Sequence, residues 1–132
     1  MILVDSCVLL DLIGGDPVWQ PWSARKLAAS SLVEDLFVNP IVYAEISARY
    51  DKQNEVDRML AAAGLEFMGV PRQAAFLAAR AYRRYRSQGG SHTSLLPDFF
   101  IGAHAAVLGA SILTRDTRRY ATYFPTVPLI AP

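Results

Sequence analysis

Five short apolar runs, separated by longer segments of helical character, constrain this chain more than any other feature. They are "MILVD", "LFVNP", "LEFMGV", "ASILTRD" and "VPLIAP". Aliphatic and aromatic residues dominate each run, and turn-forming residues bound several of them, so each reads as a short strand. Between the first two lies "SCVLLDLIGG", read as a helix closed by Gly14 and Gly15, with Ser6 placed to cap it. A polar, Trp-containing loop and a helix follow through about Ser31. Asn39-Pro40 ends the second strand at a turn, and "IVYAEISARYD" continues as a helix. "NEVDRMLAAAG" is a helix stopped by Gly64. "PRQAAFLAARAYRRYRSQ" places Pro71 at a favoured first helical position and runs into the flexible "GGSHTS". "DFFIGAHAAVLG" is apolar nearly all round and should pack on more than one side. "RRYATYF" is a short helix or turn. Strands alternating with helices through right-handed crossovers predict an α/β chain, a three-layer α/β/α sandwich with a short, mainly parallel sheet. No repeat or linker divides residues 1–132, so one domain is expected.

Composition narrows the class. Hydrophobic residues make up 52% of the chain and charged ones 19%, which argues for a compact core and against disorder. The apolar runs are broken well before the ~20 residues a membrane span needs. "MILVDS" lacks the basic start of a signal peptide, so a cytoplasmic protein is expected, with no membrane partner. One cysteine, Cys7, excludes an internal disulfide and a multi-cysteine zinc site. The net charge of +1 conceals a bias: 11 of the 13 cations are Arg, and no acid falls between Glu66 and Asp98. Arg72, Arg80, Arg83, Arg84 and Arg86 all lie in that interval, interleaved with Tyr82 and Tyr85. Such a stretch is either a solvated helix face or a contact for RNA or DNA, since Arg engages phosphate in a planar, two-pronged way.

In parallel sheets, reactive groups collect beyond the C-terminal edge of the strands. Asp5 ends the first strand, Asp116 lies just past "SILT", Asp98 starts the helix before that strand, and Glu45 sits about one turn into the helix after the second strand. Each has a plainer reading. Asp98 after a proline suits a helix cap, Asp116 a turn, Glu45 a solvent-facing site, and Asp5 a cap for the helix at Ser6. Jointly those readings require four coincidences at one edge. Carboxylates ~5 Å apart repel by about 3 kcal/mol at an effective dielectric of ~20, so a cluster must take up protons or a cation. An all-oxygen set without Cys suits Mg²⁺ or Mn²⁺, which activates water toward a phosphodiester. Arg side chains near the cluster, Arg86 and Arg115 among them, are the candidates for holding the strand's phosphates.

The blocks "ILVDSCVLLDL", "NPIVYAEISA", "LLPDFFIGAHAAVLGASILTRD" and "RRYATYFP", in this order, resemble the PIN-domain ribonucleases, and among them the VapC-type toxins of prokaryotic toxin–antitoxin pairs. The likeness spans essentially the whole chain. It implies that Asp5, Glu45, Asp98 and Asp116 are catalytic and metal-binding, with Asp5 and Asp98 the direct ligands. Ser6 and Thr114 would support the site with their hydroxyls. It further implies a PIN-like, Rossmann-like fold, Mg²⁺- or Mn²⁺-dependent endonucleolytic cleavage of RNA, a homodimer, and inhibition by a cognate antitoxin.

Rivals fare worse. A phosphate-accepting receiver needs an acid beside Asp5 and a late Lys, but Ser6 follows Asp5 and both lysines, Lys26 and Lys52, come early. A haloacid-dehalogenase-like phosphatase needs Asp where Cys7 stands. His104, inside "IGAHAAV", reads as a packed helix residue, and His92, inside "GGSHTS", as a loop residue. No His is persuasively placed to activate Ser6 or Cys7 as a nucleophile. Two alternatives stay open: a PIN-like module that binds RNA or protein without cutting, and a PIN nuclease of RNA processing rather than a toxin.

Overall fold

In the computed structural model, which describes residues 1–132, the first apolar run forms β1 (Ile2–Val4) at the centre of a five-stranded sheet. Its three side chains are almost wholly shielded, the pattern of a strand covered by helices on both faces. β2 (Leu36–Val38) pairs parallel on one side through Leu3↔Phe37, and β4 (Ser111–Leu113) on the other through Leu3↔Ile112. β3 (Leu65–Phe67) extends the β2 side and β5 (Leu129–Ile130) the β4 side. Every pairing is parallel and the order is β3-β2-β1-β4-β5. The chain leaves β1 toward β2 and later returns to β4, so the direction of winding reverses between β1 and β4. A crevice opens at such a reversal, beyond the C-terminal ends of the strands.

Helix boundaries follow local chemistry. α1 (Ser6–Gly14) is capped by Asp5, whose side chain accepts from the Ser6 N–H; Ser6, expected as the cap, is instead the first helical residue. Asp5 wins because it stands in extended backbone at the strand end, the geometry a capping carboxylate needs. α2 (Gln20–Ser31) and α3 (Pro40–Ser47) follow, with Asn39 Oδ1 accepting from Ile41 and Val42 N–H. α4 is Gln53–Ala62. α5 (Arg72–Ser87) begins one residue later than expected, because Pro71 is its cap residue in extended backbone rather than its first helical one. The "GGSHTS" segment is fastened down: Arg86 Nη1 donates to the Gly90 and His92 carbonyls at 3.1 Å each, and Tyr82 and Tyr85 bond His92.

α6 (Pro97–Leu108) is the apolar helix, and α7 (Arg118–Tyr123) settles "RRYATYF" as helix. Pro97 occupies the first turn of α6 and Gly109, at φ +67°, ends it in the left-handed conformation. Asp98 is therefore a first-turn residue and not the cap, which is Leu96. Gly102 has no Cβ because the Phe124 ring lies against that spot, which lets the end of α7 sit close on α6. α6 also packs on α5 and α3 and on β1 and β4. His104 is wholly buried there, beside Asn39 at 3.3 Å and the Phe37 ring, as a packed helix residue should be.

Candidate active site

Asp5 is the anchor. It follows the last β1 residue, its N–H donates to the Leu113 carbonyl of β4, and only 6% of it is exposed. Oδ1 accepts from Ser6 N–H at 2.8 Å; Oδ2 accepts from Thr114 Oγ1 at 2.8 Å and Tyr120 Oη at 3.0 Å, with Cys7 Sγ at 3.7 Å. Burial pushes its carboxyl above the ordinary range, and these hydrogen bonds pull it part of the way back. Tyr120 pays the converse: burial first, then the charges of Asp5 and Asp98, push its phenol well above 10.0, so it stays a donor.

Thr114 closes the crevice on the β4 side. Its hydroxyl has one hydrogen, and the 2.8 Å contact to Asp5 claims it over the 3.2 Å contact to the Asp116 carbonyl. The same oxygen accepts from Asp116 N–H at 3.1 Å, so Thr114 sets the turn that carries Asp116.

Glu45 and Asp98 come from α3 and the start of α6. Both carboxyls are raised, chiefly by burial and next by the charge of Asp5; the Ser6 side chain opposes the shift at Glu45 and Arg119 at Asp98. Glu45 Oε1 is buried with no hydrogen-bond partner, a condition that costs free energy unless something fills it. Arg119 Nη1 lies 3.4 Å from Asp98 Oδ2, both side chains being 34% exposed. Asp5, Glu45 and Asp98 therefore feel one another's charge across the crevice between β1 and β4.

Asp116 stands apart. Its charge is felt at Asp98, but its side chain is 54% exposed and turned to Arg118, with Oδ1 accepting from Arg118 N–H at 3.3 Å and Nε at 3.5 Å. No three Asp, Glu, His or Cys side chains converge closely enough to enclose a metal ion by themselves.

Both arginines expected to hold phosphate make contacts within the chain. Arg86 donates from Nη1 to the Gly90 and His92 carbonyls. Arg115 forks onto Asp11, Nε to Oδ2 at 2.9 Å and Nη2 to Oδ1 at 3.0 Å, and lies over the Trp19 ring. Asp11, 2% exposed on α1, also accepts from Ser23 Oγ at 2.7 Å, so Arg115 compensates a buried charge. The residues that sequence reasoning passed over are Tyr120, Arg119 and Asp11. Asp11 left a faint signal, an acid inside the apolar "CVLLDLIGG"; Tyr120 left none.

Solved structures share this fold. The chain is similar to VapBC2 from Rickettsia felis, solved bound to a DNA fragment from their promoter, at TM-score 0.74 and 17% identity over 99% of this chain and 98% of that one. A toxin–antitoxin complex from Klebsiella pneumoniae matches at 0.69 and 21%, over 96% and 95%, and FitAcB from Neisseria gonorrhoeae at 0.65 and 22%, over 98% and 96%. Comparison with curated proteins gives no match. The family model for the PIN domain matches residues 2–125, nearly the whole of the sheet and the crevice built on it, and the chain belongs to the PIN domain family.

Proposed function

We propose that this PIN domain is a Mg²⁺- or Mn²⁺-dependent endoribonuclease and the toxin of a toxin–antitoxin pair. One observation carries the reading: Asp5, Glu45 and Asp98 are held together at the sheet's reversal point, each pushed toward its protonated form, with Glu45 Oε1 left without a donor. Such a set is stabilised by a cation. The donors are all oxygen, which suits Mg²⁺ or Mn²⁺, and Mg²⁺ commonly keeps its own waters and takes one or two carboxylates. Asp5 and Asp98 would hold it, with Glu45 at its side and Asp116 at the rim. When bound, the ion supplies a more acidic water and neutralises charge on a phosphodiester.

The chain's own residues do the rest. Tyr120 and Thr114 fix the Asp5 carboxylate in one orientation by donating to Oδ2. Glu45 Oε1 is the unclaimed buried acceptor for the proton of an attacking water. Arg119, already beside Asp98, is the cation placed to receive the scissile phosphate.

The toxin role draws support from the similar structure from Klebsiella pneumoniae, which is a toxin–antitoxin complex. A groove of about 410 Å³ lined only by hydrophobic side chains, Leu9, Leu12, Leu27 and Met59 among them, suits an antitoxin segment. A homodimer acting on RNA in the cytoplasm completes the proposal; no helix is long and apolar enough to cross a membrane. The test is cleavage of total RNA by the purified protein with Mg²⁺ or Mn²⁺. EDTA and Asp5→Asn should each abolish cleavage, and undiminished cutting by folded Asp5→Asn would sink the assignment.

A further inference from the structure

Arg80, Arg83 and Arg84 on α5 are exposed, form no ion pair, and share a shallow concavity with Ser87. Like charges spaced three and four residues apart weaken a helix, and no acid from Phe67 to Pro97 offsets them. A face that keeps such charges uncompensated suits a polyanion. The adjoining concavity is lined by Tyr85, Arg118, Arg119, Thr122 and Tyr123. Two stacked contacts join α5 to α7: the Arg84 guanidinium lies 5.6 Å over the Tyr123 ring, and that of Arg119 lies 5.8 Å over Tyr85. Arg119 also reaches Asp98. Cations and aromatic faces thus run without a break from the middle of α5 to the edge of the acid cluster.

We propose that a single-stranded segment of RNA lies along this α5–α7 seam, its phosphates on Arg80, Arg83 and Arg84, and enters the site past Arg119. The proposal rests on the nuclease reading and names the path by which its substrate reaches Asp98. The seam offers alternating guanidinium and ring surfaces, which match the alternation of phosphate and base in an unpaired strand. A second copy of the chain would bring neither phosphates nor bases to the seam. An acidic peptide would match the charge but bring no bases to the tyrosines.

The binding arm uses Asp5→Asn, which changes none of the seam's own side chains, and a fluorescent oligouridylate of roughly 12 nucleotides, a length typical of strand-tracking sites. Adding Arg80→Gln and Arg83→Gln should weaken binding about tenfold and lower the slope of log K against log salt by about 1.4, near 0.7 per lost phosphate contact. Arg58→Gln on α4, also exposed, should leave both unchanged. In the otherwise wild-type enzyme the same pair should raise KM for long RNA and spare kcat. Unchanged affinity and slope in the arginine pair overturn the proposal. So does an equal loss in Arg58→Gln, or a loss confined to an acidic antitoxin peptide while RNA binding holds. A wild-type enzyme that cuts no RNA removes the nuclease reading alone, because the binding arm still decides the seam.

Discussion

Replacing Arg115 with Met separates a structural arginine from a phosphate-binding one. In the folded protein Arg115 makes two hydrogen bonds, 2.9 and 3.0 Å, to a carboxylate that is 2% exposed. Its removal leaves Asp11 with the Ser23 hydroxyl as its side-chain donor. Breaking a fully buried pair from one side costs about 3–5 kcal/mol. The Arg115 side chain is itself 31% exposed, so water reaches the vacated place and the expected cost falls to about 2–3 kcal/mol. Unfolding entropy near 2.1 cal/mol/K per residue over 132 residues converts this to a Tm lower by roughly 7–11 °C. Because the loss comes from an orphaned charge, Asp11→Met combined with Arg115→Met should recover at least half of it. Calorimetry of the single and double variants measures the cycle, and RNA cleavage at 25 °C should stay within a few-fold of wild type. A Tm within about 2 °C of wild type together with lost cleavage would refute the reasoning and return Arg115 to the phosphate.

Tyr120→Phe deletes the 3.0 Å donation to Asp5 without orphaning a donor, so it should cost about 1–2 kcal/mol and reduce cleavage; thermal melts and initial rates check both. Glu45→Gln should stabilise the metal-free protein at pH 7. The Glu45 carboxyl is raised in the folded state, so its stabilising contribution is complete below the ordinary value of 4.5 and is lost as pH rises through the folded value. The variant's advantage should therefore vanish near pH 4 and shrink when Mg²⁺ is added at neutral pH, as read by Tm across a pH series; an advantage that persists at pH 4 contradicts the cause.

The element order and the edge of the sheet where acids collect were legible in the chain. Alternation of apolar runs with helical segments is a local property, and it placed all five strands, although each proved shorter than its run, at two or three residues. Capping was harder to read. Asp5 took the place expected of Ser6, and Leu96 that of Asp98, because a cap is chosen by one residue's backbone angles.

What the amino-acid order determined by itself was the set of elements and the acids at their ends, because strand and helix periodicities act over a few residues. Which acids face one another was decided only in three dimensions. Tyr120 meets Asp5 across 115 positions, and Arg115 meets Asp11 across 104. No local rule reaches that far. The parallel sheet brings β1 and β4 side by side, and burial there converts ordinary carboxylates into a strained group, while Asp116, two residues past the last shielded position, escapes to solvent.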